Sequence, residues 1–357
     1  MERMKENKLT QFIRLLICIV ALLSLNACSS DEEIISPYKV IDSNHDVDPK
    51  HIYWMDNERV IFIGRAAPIP SSPVERHKFT PSIYIWNINK GISKYKDVPD
   101  ISTPMFCFND GRIVYHLNDV DDDYMTIHRI EGKFGEEKLV IDKRRKKNEP
   151  VSKQWSDLTC KYHKIPERLH NRRWHALKED HGYIDKGAKD SKYIDVPLTY
   201  YSDKSSEGRV LPAVWQHAKK IKYYDFKQAY LLSGWMNDDK SIKEKRIQTW
   251  WLYPGGKIES LVVPYIDIGG RMRFLPTKDG NFYLGGSWGK KVKKPTHGGY
   301  YFFNGQLSKF ISGHIETTAL SPDGCKLAFS HYPHKNYSVT MGKEFRTLKM
   351  VNICTIE

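Results

Sequence analysis

The chain has 357 residues, of which 40% are hydrophobic and 12% aromatic, with 23 glycines and 18 prolines, and it contains no long amphipathic helical stretch. That balance excludes a mainly helical protein and favours many short strands joined by turns. The formal charge of +13 draws polyanions in general. Apart from the run Lys143-Arg144-Arg145-Lys146-Lys147 it is spread along the chain, with no RNP, zinc-finger or helix-turn-helix pattern, so nucleic acid is not an expected partner.

The first 14 residues carry Arg3, Lys5, Lys8 and Arg14, and an apolar run from Leu15 to Leu25 follows. The run is well short of the roughly 20 residues that cross a bilayer as a helix, and its basic flank lies where a signal peptide has one. It ends in Leu25-Asn26-Ala27-Cys28, which resembles a bacterial lipobox: apolar at −3, small at −1, then the cysteine that becomes the acylated first residue. Asn26 departs from the small or β-branched residue usual at −2. The resemblance implies a signal peptide over 1–27 and lipidation of Cys28 by a diacylglyceryl thioether plus an N-acyl chain such as palmitate. Two or three acyl chains anchor stably where one binds only marginally. Ser29 stands where an Asp would retain the protein at the inner membrane, so the same resemblance implies the bacterial cell envelope and its outer membrane. Residues 28–37, with Asp31-Glu32-Glu33, then read as the lipidated cysteine and a short polar tether.

Six cysteines reduce to four outside the leader: Cys107, Cys160, Cys325 and Cys354 show neither C-x-x-C nor metal-ligand spacing. An oxidising compartment permits disulfides among them. Three pairings are open, and buried free thiols are the alternative.

From about Tyr38 the pattern becomes strand, tight turn, strand. Its clearest copy is Ala319-Leu320-Ser321-Pro322-Asp323-Gly324-Cys325-Lys326-Leu327-Ala328-Phe329-Ser330, where Pro322 presets φ and Gly324 can take positive φ. Copies stand at Met55–Phe62, Phe108–Tyr115 and Pro276–Leu284, and degenerate ones at Asp180–Ile184 and Phe226–Leu232. A second hairpin follows most copies, as at Ile83–Ile92, Thr126–Val140 around Gly132, Thr249–Ile258 and Tyr300–Leu307, with a looser version at Tyr193–Leu211. Two hairpins per repeat make a four-stranded antiparallel sheet.

These motifs resemble the Ser-Pro-Asp-Gly repeats of WD40-like, TolB-like β-propellers, a likeness that covers about residues 38–357. It implies an all-β propeller of six four-stranded blades, with seven as the alternative. Taking Asn57, Asp110, Asp180, Lys227, Asp279 and Asp323 as equivalent, the repeats are roughly 44 to 70 residues apart, at or above the roughly 40–45 of a WD40-type blade. About ten residues between Cys28 and the first strand leave no room for the α/β domain that precedes the propeller in TolB, which argues against a Tol–Pal role. The last repeat has a third strand at about Phe345–Ile353 and the sequence stops at Glu357. The first strand, about Tyr38–Asp42, is therefore expected to close the last blade by strand exchange.

The repeat is weakest over about 143–190, read as an insertion in which Lys161–Lys178 forms a short helix or a long loop. Insertions in propellers project from one face, where ligands are met. Lys143, Arg144, Arg145, His170, Arg172, Arg173 and Trp174 are the candidate ligand face. His163, His170, His175 and His181 match no zinc spacing, and Arg172 and Arg173 would repel a cation. Asp119–Asp123 opens like a calcium loop, but Tyr124 and Ile130 stand where glycine and glutamate are needed, so a solvated hairpin tip is expected. Gly285–Lys291 has the composition of a phosphate loop without its spacing. Neither G-x-S-x-G nor a sialidase box is present. Trp155, Trp174, Trp215, Trp235 and Trp288 are residues that could stack on sugars.

No metal and no cofactor is expected. The reading is a membrane-anchored lipoprotein whose propeller is a non-enzymatic binding or scaffold module for an envelope protein or an anionic glycan. The alternative is a propeller hydrolase or lyase acting on envelope or extracellular polysaccharide.

Overall fold

The Ser-Pro-Asp-Gly turn closes on its own side chains. The Lys326 amide donates to the Ser321 hydroxyl at 2.8 Å, the Cys325 amide to the Asp323 carboxylate at 3.0 Å, and the Gly324 amide to the Ser321 carbonyl at 2.9 Å. Burial alone would raise the Asp323 pKa, but its hydrogen bonds from Ser321 and the Cys325 amide, with Lys326 beside it, hold it below the usual carboxylate value. Gly324 has φ +76°, and a Cβ there would meet the Phe226 ring at 2.8 Å. Both the backbone conformation and the neighbour demand glycine.

The computed structural model describes residues 37–65, 81–98, 106–146, 172–178, 180–188, 197–202, 207–214, 220–233, 247–263, 273–285, 298–332 and 346–354. Apart from a 3-10 turn at Asp225–Lys227, the elements are strands. The first unit comprises the end of β1 (Val40–Trp54), β2 (Arg59–Arg65), β3 (Ser82–Asn87) and β4 (Gly91–Asp97). The second comprises β5 (Phe106–Asn109), β6 (Arg112–Val120), β7 (Tyr124–Lys133) and β8 (Lys138–Lys146), and the third β9 (Arg172–Ala176), β10 (Tyr183–Ala188), β11 (Pro197–Tyr201) and β12 (Arg209–Val214). The fourth comprises β13 (Lys220–Tyr224), β14 (Ala229–Ser233), β15 (Ile247–Leu252) and β16 (Ile258–Val263), and the fifth β17 (Arg273–Pro276), β18 (Asn281–Gly285), β19 (Gly298–Phe303) and β20 (Gln306–Ser312). The last has β21 (His314–Leu320), β22 (Lys326–Tyr332) and β23 (Thr347–Asn352). Within each unit the strands are paired in chain order. Repeated four-stranded antiparallel sheets of this kind are the blades of a β-propeller.

The final unit takes its fourth strand from the start of β1, through the pairs Val40↔Val351, Ile41↔Met350, Asp42↔Lys349 and Asp46↔Thr347. This is the expected strand exchange. Beyond the expectation, β1 does not stop there: its end pairs with β2, through Ile52↔Phe62, Tyr53↔Ile61 and Trp54↔Val60. One strand thus fuses the last and first units into a seven-stranded sheet. The Trp54 indole N–H reinforces the junction by donating to the buried Ala319 carbonyl at 2.8 Å.

Apolar side chains fill the spaces between units. Ile61, Ile63 and Ile83 meet Phe106, Phe108, Ile113 and Tyr115. Ile184, Leu198 and Leu211 meet Tyr230, Leu232 and Leu252. Phe282, Leu284 and Phe310 meet Leu327, Phe329 and Val351, while Val60, Phe62 and Trp86 meet Ala319, Ala328 and Met350. Each such side chain, fully buried, contributes about 1.5–3 kcal/mol. Sheets packed on both faces explain strands that are apolar without alternation, as in β2 and β3.

Two sequence expectations are corrected. Within 143–190, β8 reaches Lys146, and β9 and β10 occupy 172–176 and 183–188, while 147–171 falls outside the described residues. The end of Lys161–Lys178, expected to be helix or loop, contains strand β9. These strands are set by partners on neighbouring strands, as in Tyr124↔Lys146 and Ile184↔His175, so the polarity of the segment itself did not mark an insertion. Gly132, expected at the turn of its hairpin, is the penultimate residue of β7, and the turn centres on Gly135 at φ +86°.

Candidate functional site

Antiparallel pairing in chain order sorts the links between strands onto two ends of the sheets. The first-to-second and third-to-fourth links lie at one end; the second-to-third links, and those to the next unit, lie at the other. Contacts between units put the first-to-second turns on a common side. The Asp323 amide donates to Asn57 Oδ1 at 2.9 Å, and Lys178 Nζ lies 3.1 Å from Asp110 and 3.0 Å from Asp225. Gly324 abuts Phe226 and the Lys278 backbone. We call this side the turn face and the opposite one the connection face.

The two faces differ in kind. On the turn face the links are short, such as Asp110-Gly111, Asn304-Gly305 and 134–137, and the longest is 202–208. On the connection face, 66–81, 147–171, 234–246, 286–297 and 333–346 join successive strands. The shorter links there are 98–105, 189–196, 215–219 and 264–272, the Asp121–Asp123 tip, Gly313 and the continuous strand β1. Trp155, Trp215, Trp235 and Trp288 fall within these connections, outside the described residues, whereas Trp54, Trp86 and Trp251 are buried in the sheets.

Lys178 links three units on the turn face. Its ammonium, 22% exposed, bridges carboxylates from the units on either side, 56% and 45% exposed, and stands 4.2 Å from the centroid of the Tyr223 ring. Burial works to lower its pKa, but Asp225 and Asp110 more than offset that and raise it. Its contribution to stability is therefore complete below about 10.5, the ordinary value, and is lost only as alkaline pH passes the raised one. The Lys178 amide donates to the Tyr230 hydroxyl, which lies 2.9 Å from His181 Nδ1. The two carboxylates converge on a neutralising cation in an exposed turn. That is unlike an acid and base pair in a deep cleft.

On the connection face, Glu316 receives a hydrogen bond from the Tyr332 hydroxyl at 3.1 Å and an ion pair from Arg346 Nε at 3.4 Å. The Arg346 guanidinium lies 4.9 Å from the Tyr332 ring centroid. Arg273, at the start of the first strand of its unit, donates to the Ile315 and Glu316 carbonyls of the next. Burial lowers its pKa, with Glu316 opposing. At the Asp121–Asp123 tip, Asp121 accepts from the Tyr124 and Asp123 amides and from Arg144 at 3.0 Å. These bonds hold its pKa below the ordinary value. Arg144 also stacks 4.4 Å over the Tyr124 ring. The expected hairpin tip is present, with Val120↔Met125 as its last pair.

The residues singled out in the sequence are distributed as follows. Lys143, Arg144 and Arg145 lie on β8, an edge strand of the second unit. Arg172, Arg173 and Trp174 lie on β9, the first and an edge strand of the third. His170 and Cys28 lie outside the described residues. Both strands meet the 147–171 connection at the connection face. Lys178, Asp110 and Asp225 were missed as a group because they meet only through tertiary structure, although the repeat alignment placed charged residues at successive turns. Arg273, Glu316, Tyr332 and Arg346 left no local pattern. Cys325 is bonded to Cys354, with Cα atoms 5.2 Å apart, and Cys107 is disulfide-bonded as well. Among the described residues no three His, Cys, Asp or Glu side chains converge as a metal site requires, and no helix is long and apolar enough to cross a membrane.

No family model matches this chain, and no curated protein matches it. Solved structures resemble it. An acylaminoacyl peptidase bound to a chloromethyl ketone is 13% identical with a TM-score of 0.33, over 80% of this chain and 43% of that one, so the chain spans less than half of that protein. The β-propeller domain of the Trilobed protease from Pyrococcus furiosus is 9% identical with a TM-score of 0.31, over 80% and 79%. Streptogramin B lyase is 11% identical with a TM-score of 0.34, over 88% and 98%. These are likenesses of fold alone.

Proposed function

We propose that this protein is a lipid-anchored binding or scaffold module of the bacterial cell envelope, held at Cys28, most simply in the outer membrane, and that it meets its ligand on the connection face. The six described units would constitute the whole ring. The observation that carries the reading is the asymmetry of the two faces: links of at most seven residues on one, and on the other five connections of twelve residues or more. Connecting segments tolerate variation and carry recognition while the sheets hold them in place. Trp155, Trp215, Trp235 and Trp288, together with Lys290, Lys291, Lys293 and Lys294, belong in sequence to these connections. Such residues suit an envelope protein or an anionic glycan. In the candidate sites described above, the only converging carboxylates, Asp110 and Asp225, are bridged by Lys178.

Crosslinking in the native envelope, followed by mass spectrometry, tests this by comparing the wild type with Cys28→Ala. The expected result is a membrane-associated wild type with a reproducible partner that is lost with the anchor. Equal solubility of the two forms would refute the anchor. Turnover in a polysaccharide screen would refute the non-enzymatic role and favour a hydrolase or lyase.

A further inference from the structure

We infer that β8 is a docking edge for a partner protein, which adds to it an extended segment carrying acidic side chains at alternate positions. This rests on the binding-module reading and narrows the ligand to a protein strand. Among the described residues β8 pairs on one side only, with β7. Its other side presents the backbone donors and acceptors that an added strand takes up. Ile141 to Lys146 pair with Arg129 to Tyr124 in unbroken register, and the register shift falls before them, at Val140. The other edge strands are less suited. β4 and β20 break register with their partners, which cuts them into shorter runs. β12 contains Pro212, which has no amide to donate, and β16 has six residues against the nine of β8.

The edge is carried on a regular scaffold and reaches the connection face. β6 pairs with β7 from Arg112↔Lys133 to Val120↔Met125 without a break. It has nine residues where the second strands of the other units have five to seven, so from the turn face this unit extends about 7–14 Å further. Charge selects the occupant. Arg144 and Lys146 are exposed and two positions apart, hence on one face of the sheet. Arg144 is held by Asp121 at 3.0 Å and lies 4.4 Å from the Tyr124 ring centroid. Lys143, Arg145 and Lys147 add positive charge to the same stretch of sequence. Two copies pairing across this stretch would set cations against cations, so the edge is blunted toward itself. A strand with carboxylates two positions apart meets Arg144 and Lys146 while its backbone completes the ladder. Leu139 and Val140, 55% and 52% exposed, offer it an apolar contact at the other end. An anionic glycan answers the charge but lacks the strand spacing of donors and acceptors.

The test uses the full acylated protein in detergent and, as probe, a short capped peptide alternating valine and glutamate. A second peptide has every amide N-methylated, which keeps the carboxylates and removes the donors; a third has lysine in place of glutamate. The first peptide is expected to bind, the N-methylated one about tenfold more weakly or worse, and the lysine one not at all. Arg144→Glu with Lys146→Glu should weaken the first by about tenfold. Bound peptide should also slow hydrogen exchange at alternate amides over 141–146 and leave β14 and β18 unchanged. Equal binding of the N-methylated peptide would show charge attraction without an added strand and overturn the inference. So would no binding of any peptide, or amides over 141–146 that are all protected in the free protein because another segment of this chain or a second copy fills the edge. Where crosslinking in the envelope still recovers a partner, such a failure strikes the edge alone; where it recovers none, the binding-module reading falls with it.

Discussion

The Cys325–Cys354 bond pins the end of β23 to the turn that opens the last unit, beside the seam where β23 takes β1 as its partner. Replacing both cysteines by alanine releases a loop with a sequence separation of 29. Loop-closure entropy for that length predicts a loss of about 3–4 kcal/mol, a large part of the roughly 5–15 kcal/mol that holds a domain folded. The assay is urea unfolding followed by tryptophan fluorescence, which reads Trp54 at the same seam. Hydrogen exchange gives the location, since the Ile353 amide donates to the Cys325 carbonyl at 3.0 Å and Val351 faces Val40. Protection at β23 and the start of β1 should fall before that of β14 or β18. A loss below about 1 kcal/mol would refute the entropic reasoning. Uniform loss of protection would refute the claim that the bond guards the seam.

Two further expectations follow from individual side chains. Lys178→Met leaves Asp110 and Asp225 facing each other without their cation; part exposure limits the cost to about 1 kcal/mol. A double-mutant cycle with Asp225→Asn should show coupling between the two positions, and additive effects would count against the bridge. Burial, with Arg129 nearby, holds the His116 imidazole neutral down to a pKa of about 4, from an ordinary 6.5. The unfolded chain therefore takes up this proton first as pH falls. Stability is complete above about 6.5 and declines by up to about 3 kcal/mol as pH approaches 4. His116→Asn should flatten that part of the urea midpoint profile, and an unchanged profile would acquit His116.

Much of the fold was legible because its signals are local. The Ser321–Lys326 turn is bonded within itself, so its residues identify it in any context. The same chemistry, in degraded form, marked the turn at each repeat, including the left-handed Asp110, Asp180 and Gln228. Strand exchange was legible from counting strands, because an unfilled edge in the last unit needs a partner and the first strand was unassigned.

Sequence by itself determined the repeats, the turns and the seam, and raised the expectation of a leader ending at Cys28. Only the tertiary structure decided which cysteines bond, which charges meet and how the links divide between two faces. The register of β22 on β23, with Lys326 opposite Asn352, brings Cys325 and Cys354 within reach; spacing along the chain left three pairings equal. Lys178 finds Asp110 and Asp225 because adjacent blades bring their turns together. These are contacts between residues distant in sequence. Each depends on where the sheets pack, and no local pattern of residues encodes that.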